Sequence, residues 1–393
     1  MRSAARIAAF ALALSAAPCA AEAAQVLKIG FISTFSGPAA AISEELLAGF
    51  KLGIAENGGK LGRLPVELIV VDDQGKPDVG RQLAERLVES DRVDIVTGIN
   101  FSNVLLAIAK PVLDSKTFLI SINAAPSQLA GKGCNPYFFS VSWQNDNIPE
   151  AMGKYLSDKG VKGVYLMAPN YPAGRDMIAG FKRFYHGDIV GEVYPTWLQL
   201  DYAAEIAQMR SVNPPALFAF FPGGMGINFT KQFAQAGLAG TIPLYAPSFS
   251  IDQTVLPGIG DAALGIVSTT FWSEDLDNPA NRRFVEAFEA TEHRIPAPYA
   301  AQGYDGARLI AAALEAIGGR IDDRRAFREA LENAPFQSVR GRFRFNANHF
   351  PIQDFYATEV AKDAQGRLVN KLIGTVFEEH ADAYATECAM AKK

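Results

Sequence analysis

Cysteine, histidine and long apolar runs are all scarce in this chain, and each scarcity rules something out. Only 3 cysteines and 4 histidines occur among 393 residues. His186, His293, His349 and His380 are scattered, and none stands at ligand spacing from a cysteine, so no metal site is expected. There is no Gly-x-Ser-x-Gly elbow, no Gly-x-x-x-x-Gly-Lys loop and no histidine beside a nucleophile, which leaves an enzyme without visible machinery. Beyond the N-terminus, Gly, Pro or charge interrupts each apolar run before it reaches membrane-spanning length. The net charge is −5 and no long basic stripe opposes it, which speaks against a nucleic-acid partner.

What is present begins with an export signal. Arg2 and Arg6 precede an apolar run from Ile7 to Ala17, and Ala21-Glu22-Ala23 offers small residues at the cleavage positions. Residues 1–23 are therefore expected to be a signal peptide cleaved near Ala23, leaving a protein free in the periplasm. Pro18 fits poorly before Cys19 as a lipid-attachment site. Cys134 and Cys388 remain, and two cysteines in an oxidising compartment predict one disulfide; two buried free thiols are the plainer alternative.

The length favours two lobes, and 49% hydrophobic residues with unclustered charge oppose disorder. Strand and helix patterns alternate from Val26 to Ser121, the signature of a doubly wound parallel sheet. Asp72-Asp73 closes one of these strands without a third ligand nearby and reads as loop and cap chemistry. Alternation resumes at Gly163–Met167 and continues through strands near Ile189, Ala216 and Pro243. Helices follow from Ala280 and Ala300, and after Arg340 the period changes to two, as in antiparallel strands. The expected division is 24–141 plus 273–339 as lobe 1, and 142–272 plus 340–393 as lobe 2 with a tail. More than one crossover links them, an arrangement suited to hinge closure.

The stretch from Asp94 to Ala125 holds the candidate site. Two short strands, Asp94–Gly98 and Thr117–Ser121, are followed by the loops Ile99–Ser102 and Ile122–Ala125. In an open parallel sheet, ligands sit beyond the carboxyl ends of the strands, where these loops would lie side by side. Ser102 stands at the expected N-cap of a helix beginning at Asn103, and its hydroxyl with the unpaired amides behind it would seat an anion. A plain cap at Ser102 and a core ring at Phe101 is the other reading of the same residues.

A set of landmarks now falls into order. They are Lys28-Ile29-Gly30 with Phe35-Ser36-Gly37-Pro38, Asn57-Gly58-Gly59, Asp72-Asp73, and Gly98 with Ser102. Asn170-Tyr171 with Gly174, Gln235-Ala236-Gly237-Leu238 and Tyr304-Asp305-Gly306-Ala307 complete them. In sequence and spacing, over nearly all of the mature chain, they resemble the exported solute-binding proteins of ABC importers, in the leucine/isoleucine/valine-binding family. The resemblance implies a type I fold: two doubly wound α/β lobes joined by a multi-strand hinge. It implies that Ser102 and the loop of Asn123, Ala124 and Ala125 hold a carboxylate from the first lobe, and that Tyr171 closes from the second. Phe221-Pro222 and Ser248-Phe249 match the second-lobe pocket positions.

The chain departs from the family's amino-acid binders, which usually present an acid near Ser248-Phe249 to pair with an ammonium group. Asp252 is a substitute a few residues on, a solvated loop residue being the plainer role. Thr is common where Ala125 stands, and Pro172 replaces a frequent Gly after Tyr171. Asn170–Asp176 with Phe221–Gly226 resembles the branch that takes up aromatic acids such as substituted benzoates. The physical reading agrees: Phe101, Tyr171, Phe221 and Phe249 can wall a flat slot, each buried ring removing roughly 150–250 Å² from water. Phe220 and Phe221 are adjacent on one strand, so at most one of them faces the cleft. Arg175 and Asn123 are candidates to address a ring substituent. The expected protein is a monomer without cofactor that captures a small aromatic carboxylate and delivers it to a membrane permease. The alternatives are a branched-chain amino acid or amide binder of the same fold, or a ligand-sensing periplasmic receptor.

Overall fold

Strand β1 (Leu27–Ser33) is buried along its length except at Lys28, as befits a central strand of a parallel sheet. The computed structural model describes residues 25–392, so the expected signal peptide lies outside the described residues. After β1 come α1 (Ala40–Ala55), β2 (Lys60–Leu61), β3 (Leu64–Asp72), α2 (Pro77–Glu89), β4 (Ile95–Thr97) and α3 (Ser102–Asp114). Then follow β5 (Phe118–Ser121), the single turn α4 (Ser127–Ala130) and β6 (Phe138–Ser140). The first sheet runs β2-β3-β1-β4-β5-β6 and is parallel except for the β2–β3 pair. Residues 138–140, read from sequence as a segment leaving the lobe, are its sixth strand.

The second lobe is opened by α5 (Asn147–Asp158), a helix the sequence reading passed over. It continues through β7 (Gly163–Met167), α6 (Pro172–Phe184), β8 (Asp188–Val193), α7 (Ala203–Val212), β9 (Leu217–Ala219) and α8 (Gly224–Gln235). Next are β10 (Leu244–Pro247), the turn α9 (Leu256–Ile259) and β11 (Val267–Thr270). Three helices, α10 (Pro279–Glu292), α11 (Pro298–Ala316) and α12 (Arg324–Glu332), then return to the first lobe. There α11 lies along α1 so closely that a Cβ on Gly49 would fall 2.0 Å from Ala300 O, and one on Gly303 2.1 Å from Leu46 O. Phe327 of α12 meets Phe118 of β5 edge to face. Finally β12 (Phe343–Phe345), β13 (Pro351–Lys362) and β14 (Leu368–His380) add antiparallel strands to the second sheet. Its order is β12-β13-β11-β10-β9-β7-β8, with β14 beside β13.

The chain crosses between lobes three times, at residues 141–146, 271–278 and 333–342. A disulfide joins Cys134, just before β6, to Cys388 in the tail after β14. It adds a covalent link between the two halves, as the cysteine count predicted. Among the described residues, no helix is long and apolar enough to cross a membrane.

Candidate ligand-binding site

Because β4 and β5 pair in parallel, the loops leaving them are neighbours, and they are bonded to one another. Asn123 Nδ2 donates to Asn100 O at 2.6 Å, and Ala124 N to Ile99 O at 3.0 Å. Gly98 makes the first turn at φ 92°, where a Cβ would stand 2.5 Å from the Phe31 ring. Helix α3 starts one residue earlier than expected. Phe101 holds the cap position, and Ser102 is the first helical residue without a side-chain cap bond. The Ser102 hydroxyl is therefore not spent on a cap bond. Ser102 Oγ accepts from Asn145 Nδ2 at 3.1 Å, leaving its own proton to donate. The first-turn amides of α3 have no intrahelical acceptor, and the helix dipole adds partial positive charge there.

These groups form the first-lobe side of a narrow cavity between the lobes. The cavity is only about 30 Å³, far smaller than a pocket that holds a drug-sized ligand. A flat ring therefore enters only when the two lobes part. Asn100, Phe101, Ser102, Asn123 and Ala124 face it from the first lobe, with Tyr299 from α11. Tyr171, Phe220, Pro222 and Phe249 face it from the second, with Trp143 and Asn145 from the first crossing. No Asp, Glu, Lys or Arg is among the lining residues.

Rings dominate the walls and meet across the cleft. Phe101 stands edge-on to Trp197 with centroids 4.7 Å apart, and Trp197 stacks on Tyr171 at 4.1 Å. Trp143 lies against Phe249 at 4.5 Å, and Phe249 approaches Tyr299 at 5.8 Å. Burial first, and then the charge of Asp176, raises the Tyr171 hydroxyl well above its ordinary range. Tyr299 is raised likewise by burial and then by Asp252, so both phenols are neutral donors. Pro172 does not divert Tyr171: the proline starts α6, and Tyr171 holds the cap position, 8% exposed.

Several expected site residues lie elsewhere. Side chains alternate along β9 and its extension, so Phe220 faces the cavity while Phe221 turns to the opposite face. There Phe221 packs on Tyr202 and Phe229, with centroids 4.6 Å away in both cases. Arg175 is turned outward, donating to Asn170 Oδ1 and lying 3.5 Å over the Tyr194 ring. Ala125 is buried behind the loop, where its carbonyl accepts from Asn145 N. Ser248 opens instead onto a smaller polar void beside Gln253 and Glu274. The Ala124 amide is spent on Ile99 and is not free for an anion. Asp252 is fully buried rather than solvated. Its Oδ1 accepts from Thr254 N and Oγ1.

Trp143, Asn145, Trp197 and Tyr299 were missed by sequence reasoning. Each stands far along the chain from the motif it serves, and nothing in its local pattern marks it. Asn145 also bridges Ser102 to Asp176, whose carboxylate accepts from Ser127 N at 3.0 Å and Ser127 Oγ at 2.7 Å across the cleft.

Two hinged α/β lobes closing a ring-walled cavity with side chains from both define a bilobal solute-binding protein. The chain belongs to the periplasmic binding protein family, whose model matches residues 26–365. It is 31% identical to the Leu/Ile/Val-binding protein homolog 6 of Brucella melitensis biotype 1, over 96% of this chain and 98% of that one. Among solved structures, an ABC-transporter solute-binding protein of R. palustris in complex with benzoate superposes with a TM-score of 0.88 at 31% identity. That match covers 93% of this chain and 100% of the other. A second, from Rhodopseudomonas palustris BisB5 in complex with 3,4-dihydroxybenzoic acid, gives 0.83 at 29% identity, covering 91% and 99%. Proteins of this family bind solutes rather than transform them, and membership implies an extracytoplasmic place of action with a transporter as partner.

Proposed function

We propose that the protein captures a small aromatic carboxylate between its lobes and delivers it to the permease of an ABC importer. The observation that carries this reading is a cavity walled by rings and lined by no charged side chain, beside the start of α3. Ser102 Oγ and the first-turn amides take the carboxylate, each bond to the anion contributing about 1.5–3 kcal/mol. Phe101, Tyr171 and Phe249 flank the ring, with Phe220 in the place first assigned to Phe221. An α-ammonium group would be buried here without an acidic partner, at a cost of several kcal/mol. The solved relatives that bind benzoate and 3,4-dihydroxybenzoate support the same class. Calorimetry on the mature protein tests it: benzoate-like acids should bind far more tightly than leucine. Leucine or valine binding at least as well as every aromatic acid would favour the second reading, a branched-chain amino acid binder, to which the curated relative's name points.

A further inference from the structure

Asn123 is 8% exposed and lines the cavity, yet its Oδ1 has no hydrogen-bond partner among the described residues. The amide cannot turn over to relieve this. Its Nδ2 donates to Asn100 O at 2.6 Å, and the flipped amide would set oxygen against oxygen there. Asn100 is itself held in place, since its Nδ2 donates to Ser43 Oγ at 3.1 Å and its Oδ1 lies 3.1 Å from Thr34 Oγ1. The cavity therefore holds a fixed, buried acceptor on the loop bonded to the one that leads into α3. Buried acceptors of this kind are rarely left empty in folded proteins.

A carboxylate does not fill that position, because it brings only further acceptors. An ammonium group would, but no acid lines the cavity to pair with its charge. The remaining chemistry is a neutral donor: the O–H of a hydroxyl or the N–H of an aryl amine. A second orphan points the same way. Trp143 Nε1 is a buried donor without a partner, and Ser142 Oγ, one residue before it, donates to Asn123 O at 2.9 Å. A hydroxyl both donates and accepts, so it satisfies either kind of orphan.

We infer that the bound acid carries a neutral donor substituent that donates to Asn123 Oδ1, making Asn123 the residue that selects substituted over unsubstituted aromatic acids. This rests on the aromatic-carboxylate reading above and narrows it. An analogue lacking the donor leaves Asn123 Oδ1 buried and unpaired, which lowers affinity by about tenfold or more. Calorimetry with the wild-type mature protein should compare benzoate with the three hydroxybenzoates, the three aminobenzoates and the matching methoxybenzoates. At least one hydroxy or amino acid should bind about tenfold or more tighter than benzoate, and its methoxy counterpart, which cannot donate, should lose that gain. In Asn123→Ala the ratio should fall to within about threefold. Benzoate binding as tightly as every substituted acid overturns the inference and leaves the aromatic reading standing, as does a preference that survives in Asn123→Ala. Failure of every aromatic acid to bind overturns both.

Discussion

Arg340 and Asp305 form a buried ion pair, Nε to Oδ2 at 2.9 Å, where the three crossings between the lobes meet. Arg340 belongs to the third crossing. Its Nη1 donates to Ser142 O of the first at 2.8 Å and to Gln353 Oε1 at 2.9 Å. Its guanidinium lies 5.5 Å from the Phe271 ring of the second crossing and 4.7 Å from that of Phe343. Asp305 in turn accepts from Ser338 Oγ and Val339 N, tying α11 to the same point. All three crossings thus meet at one buried ion pair.

Removing the acid alone should be costly. Asp305→Asn leaves a buried guanidinium unpaired, a change that typically destabilises by about 3–5 kcal/mol. Replacing both partners by apolar residues, Asp305→Leu with Arg340→Met, should cost less than the single change. Urea unfolding of the three proteins checks this. A loss below about 1 kcal/mol in Asp305→Asn would show that the pair does not hold the hinge.

The bond between Cys134 and Cys388 spans 254 residues of chain. Chain entropy sets its contribution at about 5 kcal/mol as an upper bound, and measured values usually fall near 2–4. Cys134→Ser with Cys388→Ser should therefore unfold at lower urea, and reduced wild type should match it. Thiol titration of denatured, unreduced mature protein should find no free thiol.

Asp252 gives a pH dependence whose sign can be worked out. Burial, opposed by the Thr254 donors and the Tyr299 hydroxyl, pushes its carboxyl up from 3.8 to about 7. Between those values the folded protein keeps a proton that the unfolded chain has released, so stability falls as pH rises through the window and levels off above it. Asp252→Asn keeps the acceptor for Thr254 and removes this slope. Its stability relative to wild type should rise by a few kcal/mol between pH 4 and pH 8, read from urea midpoints. A difference that does not change with pH would mean that Asp252 is ionised throughout.

Most of the fold was legible because it is built from local periodicities. Alternating strand and helix patterns from Val26 to Phe271, and the switch to period two after Arg340, follow from which faces are buried. Helix α5 escaped because its inner face carries Asn147 and Glu150, buried polar residues that break an apolar stripe. The site was half legible. Phe101, Ser102, Asn123, Ala124, Tyr171, Pro222 and Phe249 do line one cavity, since each follows the end of a strand in its own lobe. The choice of Phe220 over Phe221 turned on strand parity, and a one-residue error reverses every side chain. Trp143, Asn145 and Tyr299 reach the cavity from the hinge and from a returning helix, which is tertiary information.

The cleft is closed, and named contacts hold it. Ser127 of the first lobe donates twice to Asp176 of the second, and Phe101 meets Trp197 across the gap. Opening the hinge breaks these contacts, whereas contacts within each lobe survive, so they stabilise the closed form alone. A ligand that touches both lobes shifts the balance toward closure by its differential affinity for that form. Small-angle scattering should therefore show a smaller radius of gyration with ligand than without. Asp176→Ala should weaken binding of every ligand by a similar factor, about tenfold for hydrogen bonds of this kind, without changing the order of preference among ligands. Ser127→Ala should act in the same direction, and the double variant should lose less than the sum of the two, because both remove one interaction. If Asp176→Ala bound as tightly as wild type, the bond would be equally present in the open form, and closure would rest on the rings and the ligand.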